Sequence, residues 1–216
     1  MLTVHHLGRS QSERIVWLCE ELGIPYELKR YDRAPVMAPP EYKALHPIGS
    51  APVITDDGMV LAESGAVMDY IIAKYGTKEN GGARLALTKD HPSFAQYLYW
   101  FHFANGTLQP ALMRVLISGR LNRPADHPAV LTGQQRMELC LALLETRLGE
   151  VPWLAGQDFT AADIMNVFCL TTMRRYLPYD LSPYPHIRAY LARIGARPAY
   201  RRAMAKGDPD MEPLLD

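Results

Sequence analysis

The spacing of apolar residues changes character near residue 80. Before that point strand and helix signals alternate: L-T-V-H-H-L over 2–7 predicts a strand, and Ile15, Leu18, Cys19 and Leu22 fall at helical spacing across 12–22, with Gly23 as a stop. Pro25 opens an extended run to Tyr31, so the unit reads β-α-β and its two strands are expected to lie parallel. After the proline-rich stretch 34–40 and a short helical piece, Val53-Ile54-Thr55 and Met59-Val60-Leu61 flank an Asp57-Gly58 turn, the mark of an antiparallel hairpin. A helix from Glu63 to Tyr75 follows, with Val67, Met68, Ile71, Ile72 and Tyr75 on one stripe and Gly76 as its stop. The order β-α-β, then β-β-α, predicts a small mixed sheet.

Between Thr77 and Lys89 the periodicity lapses, and Asn80-Gly81-Gly82 reads as a linker. The expected division is therefore an α/β domain over 1–80 and an all-helical domain over 81–216. Residues 92–118 read as one long helix with a kink at Pro110, and Met137, Leu141, Leu144 and Leu148 keep helical register across 134–148. Thr160-Ala-Ala-Asp163 forms a capping box with Asp in place of Glu, and Phe159 and Ile164 supply a hydrophobic staple. The basic run from Arg197 to Lys206 reads as a solvated helix face.

Composition narrows the function classes. Hydrophobic residues make up 48% of the chain, enough for a sizeable core, and 23 basic residues balance 23 acidic ones, so no overall field draws nucleic acid or an anionic membrane. No run of about 18 apolar residues occurs and no leader is apparent at the start, which predicts a soluble, cytoplasmic protein. The three cysteines, Cys19, Cys140 and Cys169, are an odd number without CxxC spacing and lie in apolar helical patterns, so they are expected as buried small side chains. His91 and His102 are about three helical turns apart, and His5 and His6 point to opposite faces of a strand, so neither pair forms a metal site and no metal is expected.

Two places carry candidate chemistry. The turn L-G-R-S-Q-S-E-R puts Ser10 and Ser12 at the start of the first helix. Ser12 suits an N-cap, whereas Ser10, in the loop, suits a ligand placed beside the positive helix end; a thiolate there would be favoured by a hydroxyl donor. The pair Glu63-Ser64, at the start of another helix, can simply complement the helix dipole. It also fits the two ends of a zwitterionic peptide, Glu63 pairing with an ammonium and Ser64 with a carboxylate at the helix N–H groups. Pro52 opens the preceding strand, and from sequence alone its peptide bond is expected trans.

Taken together, the H-H-L-x-x-S-x-S-x-R-x-x-W-L-x-E-E-L pattern from His5, the proline-led hairpin, Glu63-Ser64, Tyr97–Pro110 and the capping box resemble the cytosolic-type glutathione transferases. They are most similar to a bacterial and fungal branch with a theta-like serine. The resemblance implies a thioredoxin-like N-terminal domain followed by an all-α domain, with Pro52 cis. It also implies glutathione as co-substrate: Ser10 stabilises its thiolate, Ala51 pairs with its cysteinyl backbone, and Glu63 and Ser64 hold its γ-glutamyl end. Ser50 stands where many relatives carry Lys or Gln, which leaves His46, Lys43 or Arg9 to meet the glycine carboxylate. A small hydrophobic electrophile is expected against the helix that carries Trp100, Phe103, Asn105 and Gln109, although aromatics at helical spacing are also ordinary core residues. A homodimer is implied. The alternatives are glutathione-dependent peroxide or thiol reduction at the same site, although Arg9 fills the place of a beta-like cysteine, and a non-catalytic glutathione-binding or assembly module.

Overall fold

Four short strands, β1 (Thr3–Leu7), β2 (Glu27–Tyr31), β3 (Val53–Asp56) and β4 (Met59–Ala62), form one sheet in the order β2-β1-β3-β4. The first pair is parallel, as the β-α-β reading requires, and the other two pairs are antiparallel, so the sheet is mixed. Asp56 pairs with Met59, leaving Asp57 and Gly58 as a two-residue turn with φ of 48° and 86°. Positive φ at both central positions is the twist-matched hairpin geometry for which Asp-Gly is selected. Helix α1 (Glu13–Leu22) crosses between β1 and β2, α2 (Pro40–Lys43) precedes the hairpin, and α3 (Ser64–Tyr75) follows it. This computed structural model describes residues 1–34 and 36–216; Pro35, within the expected proline-rich loop, lies outside the described residues.

Gly76 ends α3 for a reason other than the expected one. Its φ is −73°, so no left-handed cap is involved. Instead its backbone lies against Gly82, at the start of α4 (Gly82–Leu85): a Cβ on Gly82 would sit 2.4 Å from the Gly76 Cα. Gly82 is required because the Gly76 main chain occupies its side-chain space, and Gly76 because a Cβ there would stand 2.4 Å from the Ile72 carbonyl oxygen and 3.1 Å from Gly82 Cα.

Asp56 ties the hairpin to α3. Its buried carboxylate accepts hydrogen bonds from Lys74 Nζ (2.7 Å), Tyr70 Oη (2.9 Å) and Tyr75 Oη (2.6 Å). Burial raises its pKa, but these three donors outweigh burial and hold it down at about 2. A depressed carboxylate stabilises the fold above its ordinary pKa, and that contribution is lost as pH falls through the folded value. Asp56→Asn is therefore expected to lower the unfolding free energy by roughly 2 kcal/mol at pH 7, with the difference from wild type closing between about pH 4 and pH 2 in chemical denaturation.

The described residues fall into two compact units, 1–87 with 195–213 and 88–194 with 214–216. The expected cut at residue 80 gave 195–213 to the helical part, whereas α10 (Pro198–Gly207) packs on α1 in the sheet-bearing unit. The tyrosine of α10, Tyr200, meets Trp17 edge to face at 4.9 Å. Arg197 clasps Glu21 with two bonds of 2.7 and 2.8 Å, while Arg202 and Lys206 both hold Glu20. The basic run is thus more than a solvated face: it is the cationic half of a pairing with the acidic end of α1.

The second unit is helical. Phe94–Phe103 (α5), a π-helical turn (Ala104–Leu108) and α6 (Gln109–Arg120) make one continuous helical path, followed by α7 (Pro128–Glu150), α8 (Ala161–Leu170), a 3₁₀ turn (Thr172–Arg175) and most of α9 (Pro185–Ala196). The irregularity expected at Pro110 takes the form of the π turn just ahead of it, where Gln109 N–H reaches Ala104 O. Proline supplies no N–H and crowds the carbonyl four residues back, so the helix widens there. The capping box at α8 is present, with Asp163 fully buried. Cys19, Cys140 and Cys169 are buried free thiols, and burial pushes the pKa of Cys19 and Cys140 up, away from reactivity. Among the described residues no helix is long and apolar enough to cross a membrane, and no cluster of His, Cys, Asp or Glu has metal-binding spacing.

Candidate active site

The site is assembled around the first turn of α1. Gln11 sits just before the helix and Arg14 one turn on, so both side chains can reach the strand ends beside it. Gln11 Nε2 donates to the carbonyl of Ala51 at 2.8 Å, and Gln11 Oε1 accepts from Arg14 Nη1 at 2.8 Å. The same Nη1 reaches Ser64 Oγ at 3.2 Å. These bonds gather the Ser10 loop, the Ala51-Pro52 bend and the Glu63-Ser64 corner into one place. The Ala51-Pro52 bond is cis, as the family resemblance implies and contrary to the expectation from sequence statistics alone.

Ser64 is buried as the first residue of α3, and Glu63 before it is exposed with φ of 71° and ψ of 114°. A non-glycine residue in that region costs on the order of 1–3 kcal/mol, and such conformations gather at binding and catalytic sites. An exposed carboxylate at the N-cap position stands next to the first N–H groups of α3, so an acidic side chain and a helix N-terminus lie within one turn. Arg14, fully buried, puts a guanidinium behind Ser64.

Ser10, the residue before Gln11, is 5% exposed, whereas Ser12 is 0% exposed. The expected N-cap role of Ser12 is not what the structure shows: Ser12 has αR dihedrals and makes no side-chain cap bond. Its hydroxyl instead meets His6 Nδ1 at 2.9 Å, accepts from Leu7 N–H at 3.1 Å, and lies 2.8 Å from Ser10 Oγ. A buried imidazole offers a stronger partner than an already turn-bonded helix N–H. Of the two residues, Ser10 is the less completely buried.

The other expected residues are placed as follows. Ser50 is exposed, and so are Lys43 and Arg9; His46 is half-buried with Nδ1 accepting from Ile48 N–H at 3.4 Å. Trp100 and Phe103 are 2% and 4% exposed, packed on each other at 5.0 Å inside the helical unit. Trp100 also gives its carbonyl to Asn166 Nδ2 at 2.7 Å. They are core residues there, the ordinary outcome for aromatics at helical spacing. Asn105 and Gln109, in and just after the π turn, are half-buried.

Gln11, His6 and Asp208, which bond to these elements, were not picked out from the sequence as site residues, and Arg14 entered only as part of the family pattern. A signal existed for Arg14 alone, since it shares a helix face with Leu18 and so puts a charge on an apolar stripe. Residues 1–73 match the glutathione S-transferase N-terminal domain and residues 107–198 the glutathione S-transferase C-terminal domain. Glutathione S-transferase 3 of Schizosaccharomyces pombe is 30% identical over 95% of this chain and 88% of its own. The chain belongs to the glutathione transferase family. A glutathione S-transferase of Actinobacillus pleuropneumoniae superposes on this transferase with a TM-score of 0.85 at 33% identity, covering 96% of this chain and 93% of that one. A family member from Pseudomonas fluorescens, solved with two glutathione molecules bound, shares the fold at a TM-score of 0.73 and 22% identity, covering 94% of this chain and 92% of its own.

Proposed function

We propose that this transferase binds glutathione at the corner between α1 and α3 and joins its sulfur to hydrophobic electrophiles. The observation that carries the reading is the hydrogen-bonded path Ala51–Gln11–Arg14–Ser64, which holds the peptide-binding elements together beside the Ser10 hydroxyl. Glu63 pairs with the γ-glutamyl ammonium, Ser64 and the start of α3 take its carboxylate, and the Ala51 main chain matches the cysteinyl unit. The sulfur then lies at Ser10, whose O–H stabilises the thiolate; proximity to the electrophile supplies the rest of the acceleration. Ser50 adds a hydroxyl at the glycine end, where His46, Lys43 or Arg9 meets the carboxylate. In the helical unit Asn105 and Gln109, rather than the buried Trp100 and Phe103, have surface to offer the electrophile.

Half-exposed Leu98 and Tyr99 on α5 and Leu139 and Leu143 on α7 leave apolar surface for a second copy, which supports a homodimer of a cytoplasmic protein. Peroxide or disulfide reduction is the second reading, since the same thiolate serves it. The purified protein is expected to conjugate a chloronitrobenzene-type substrate with turnover well above that on hydroperoxides. Higher hydroperoxide turnover would reverse that order, and no thermal shift with millimolar glutathione would end both readings.

A further inference from the structure

Behind Ser10 a single file of buried polar atoms runs inward. Ser10 Oγ lies 2.8 Å from Ser12 Oγ, Ser12 Oγ 2.9 Å from His6 Nδ1, and His6 Nε2 3.0 Å from Asp208 Oδ2. Asp208 follows α10, 202 residues along the chain from His6, and its second oxygen accepts the Arg9 N–H at 2.8 Å. His6 and Ser12 are 0% exposed, Ser10 5% and Asp208 8%. Gly207 makes room for the contact: a Cβ there would stand 3.1 Å from His6 Nε2.

Donor counting restricts the protons on this file. Burial raises the Asp208 pKa, but the bonds from His6 and the Arg9 N–H outweigh it and keep Asp208 ionised, so it only accepts and His6 Nε2 carries a proton. Ser12 Oγ also lies 3.3 Å from the Leu7 carbonyl; with its proton directed along the file instead, two arrangements remain. With a neutral ring, Nδ1 accepts from Ser12, Ser12 accepts from Ser10, and the one proton of Ser10 points inward. With a doubly protonated ring, Nδ1 donates to Ser12, Ser12 donates to Ser10, and the Ser10 proton is free to point outward. A thiolate needs the outward arrangement, and a neutral thiol suits the inward one.

We propose that Ser12, His6 and Asp208 form a proton relay behind Ser10, which takes up at His6 the proton lost by a thiol bound at Ser10. The relay rests on Ser10 being the thiol site. As the thiol S–H bond breaks, an O–H bond forms on Ser10; the former Ser10 proton passes to Ser12, and the former Ser12 proton passes to His6 Nδ1. The products are a thiolate outside and an imidazolium paired with Asp208 inside. Net charge is unchanged and nothing is oxidised or reduced. Ser12, His6 and Asp208 are positioning residues, acting on the thiol through Ser10, much as a carboxylate-held histidine acts through a serine in hydrolases.

Charged groups also lie on the elements that flank β1. On β2, Arg30 is in register with His6 and bears electrostatically on Asp208. On α1, Glu13 is buried in the first turn, Arg14 bonds to Gln11 and Ser64, and Glu20 bonds to Arg202 and Lys206 of α10. Asp208 is thus the charge in direct contact with the ring.

The test uses the full-length protein at neutral pH. Nitrogen-15 NMR of the histidines is expected to show His6 neutral and protonated at Nε2 in the free protein, and doubly protonated once glutathione saturates the site. S-methylglutathione, which has no thiol proton, should leave His6 neutral. Calorimetry in two buffers of different ionisation enthalpy should find almost no proton released, although the ultraviolet thiolate band appears. A thiolate band accompanied by about one proton released per site and a neutral His6 overturns the relay, as does a His6 already doubly protonated before glutathione binds. His6→Gln, or Asp208→Asn should the former not fold, is expected to lower the bound thiolate fraction at least several-fold. If both variants ionise glutathione like wild type while Ser10→Ala does not, the relay alone fails. If Ser10→Ala ionises it undiminished, Ser10 is not the thiol site and both readings fail.

Discussion

Ser10→Ala is expected to lower kcat/KM for conjugation by about 10- to 100-fold near pH 7 while leaving the fold and the affinity for glutathione nearly unchanged. A hydrogen bond to an ionised partner contributes about 1.5–3 kcal/mol, and that is the interaction removed from the thiolate. The peptide portion of glutathione would still meet Ala51, Glu63 and Ser64, so binding is retained. The loss should also depend on pH in one direction. A free thiol ionises near 8.5, and above that pH the thiolate forms without help, so the variant is expected to approach wild type as pH rises from about 6 to 9.5. A deficit that stayed constant across that range would mean that the hydroxyl does something other than favour the thiolate.

Asp163→Ala is expected to be the most destabilising single change described here, by about 4 kcal/mol, a fall in Tm of roughly 8–16 °C for a chain of this size. Asp163 sits at 0% exposure and accepts from Leu154 N–H at 2.9 Å, Thr160 N–H at 2.8 Å and Tyr190 O–H at 3.1 Å. Truncation removes half of a capping box and leaves three donors buried without an acceptor, each worth about 1–3 kcal/mol. Burial, acting against these bonds, pushes the Asp163 pKa up to about 6. A raised carboxylate contributes stability that is complete below its ordinary pKa near 4 and is lost as pH rises through the folded value. The stability difference between wild type and Asp163→Asn should therefore narrow from about pH 4 to pH 7, the opposite sense to Asp56 and in a different window.

What the sequence made legible follows from which forces are local. Alternation and 3.6-residue spacing located the sheet, α1, α3 and the core stretches of the long helices because burial of one face repeats within a few residues. Asp57-Gly58 declared its hairpin, and Thr160–Asp163 its helix start, because each depends on backbone geometry inside four residues. Non-local pairings gave no such signal. The basic residues of α10 read as solvent-facing until Glu20 and Glu21, some 176–186 residues away, are brought beside them. Ser12 read as a cap because capping is the local preference of serine, and only the fold reveals His6 as the stronger partner. Gly76 looked like a left-handed stop, yet its need for glycine comes from the Ile72 carbonyl at 2.4 Å and the main chain at Gly82 beyond it.

The candidate site was legible to the same degree. Ser10, Glu63 and Ser64 stand out as polar residues at element boundaries, and the structure gathers their elements around α1. Gln11, which helps bind those elements together, is invisible to a search for reactive groups, and Arg14 shows only as a charge on an apolar stripe, since their role lies in whom they touch.

In the proposed binding mode the corner beside α1 holds glutathione with its sulfur ionised at Ser10. The direct measurement is a pH titration of the ultraviolet thiolate band of glutathione bound to the wild-type protein and to Ser10→Ala. The wild-type midpoint is expected at least about one unit below the free value near 8.5, with a return towards that value in the variant. A wild-type midpoint equal to that of free glutathione would contradict that binding mode.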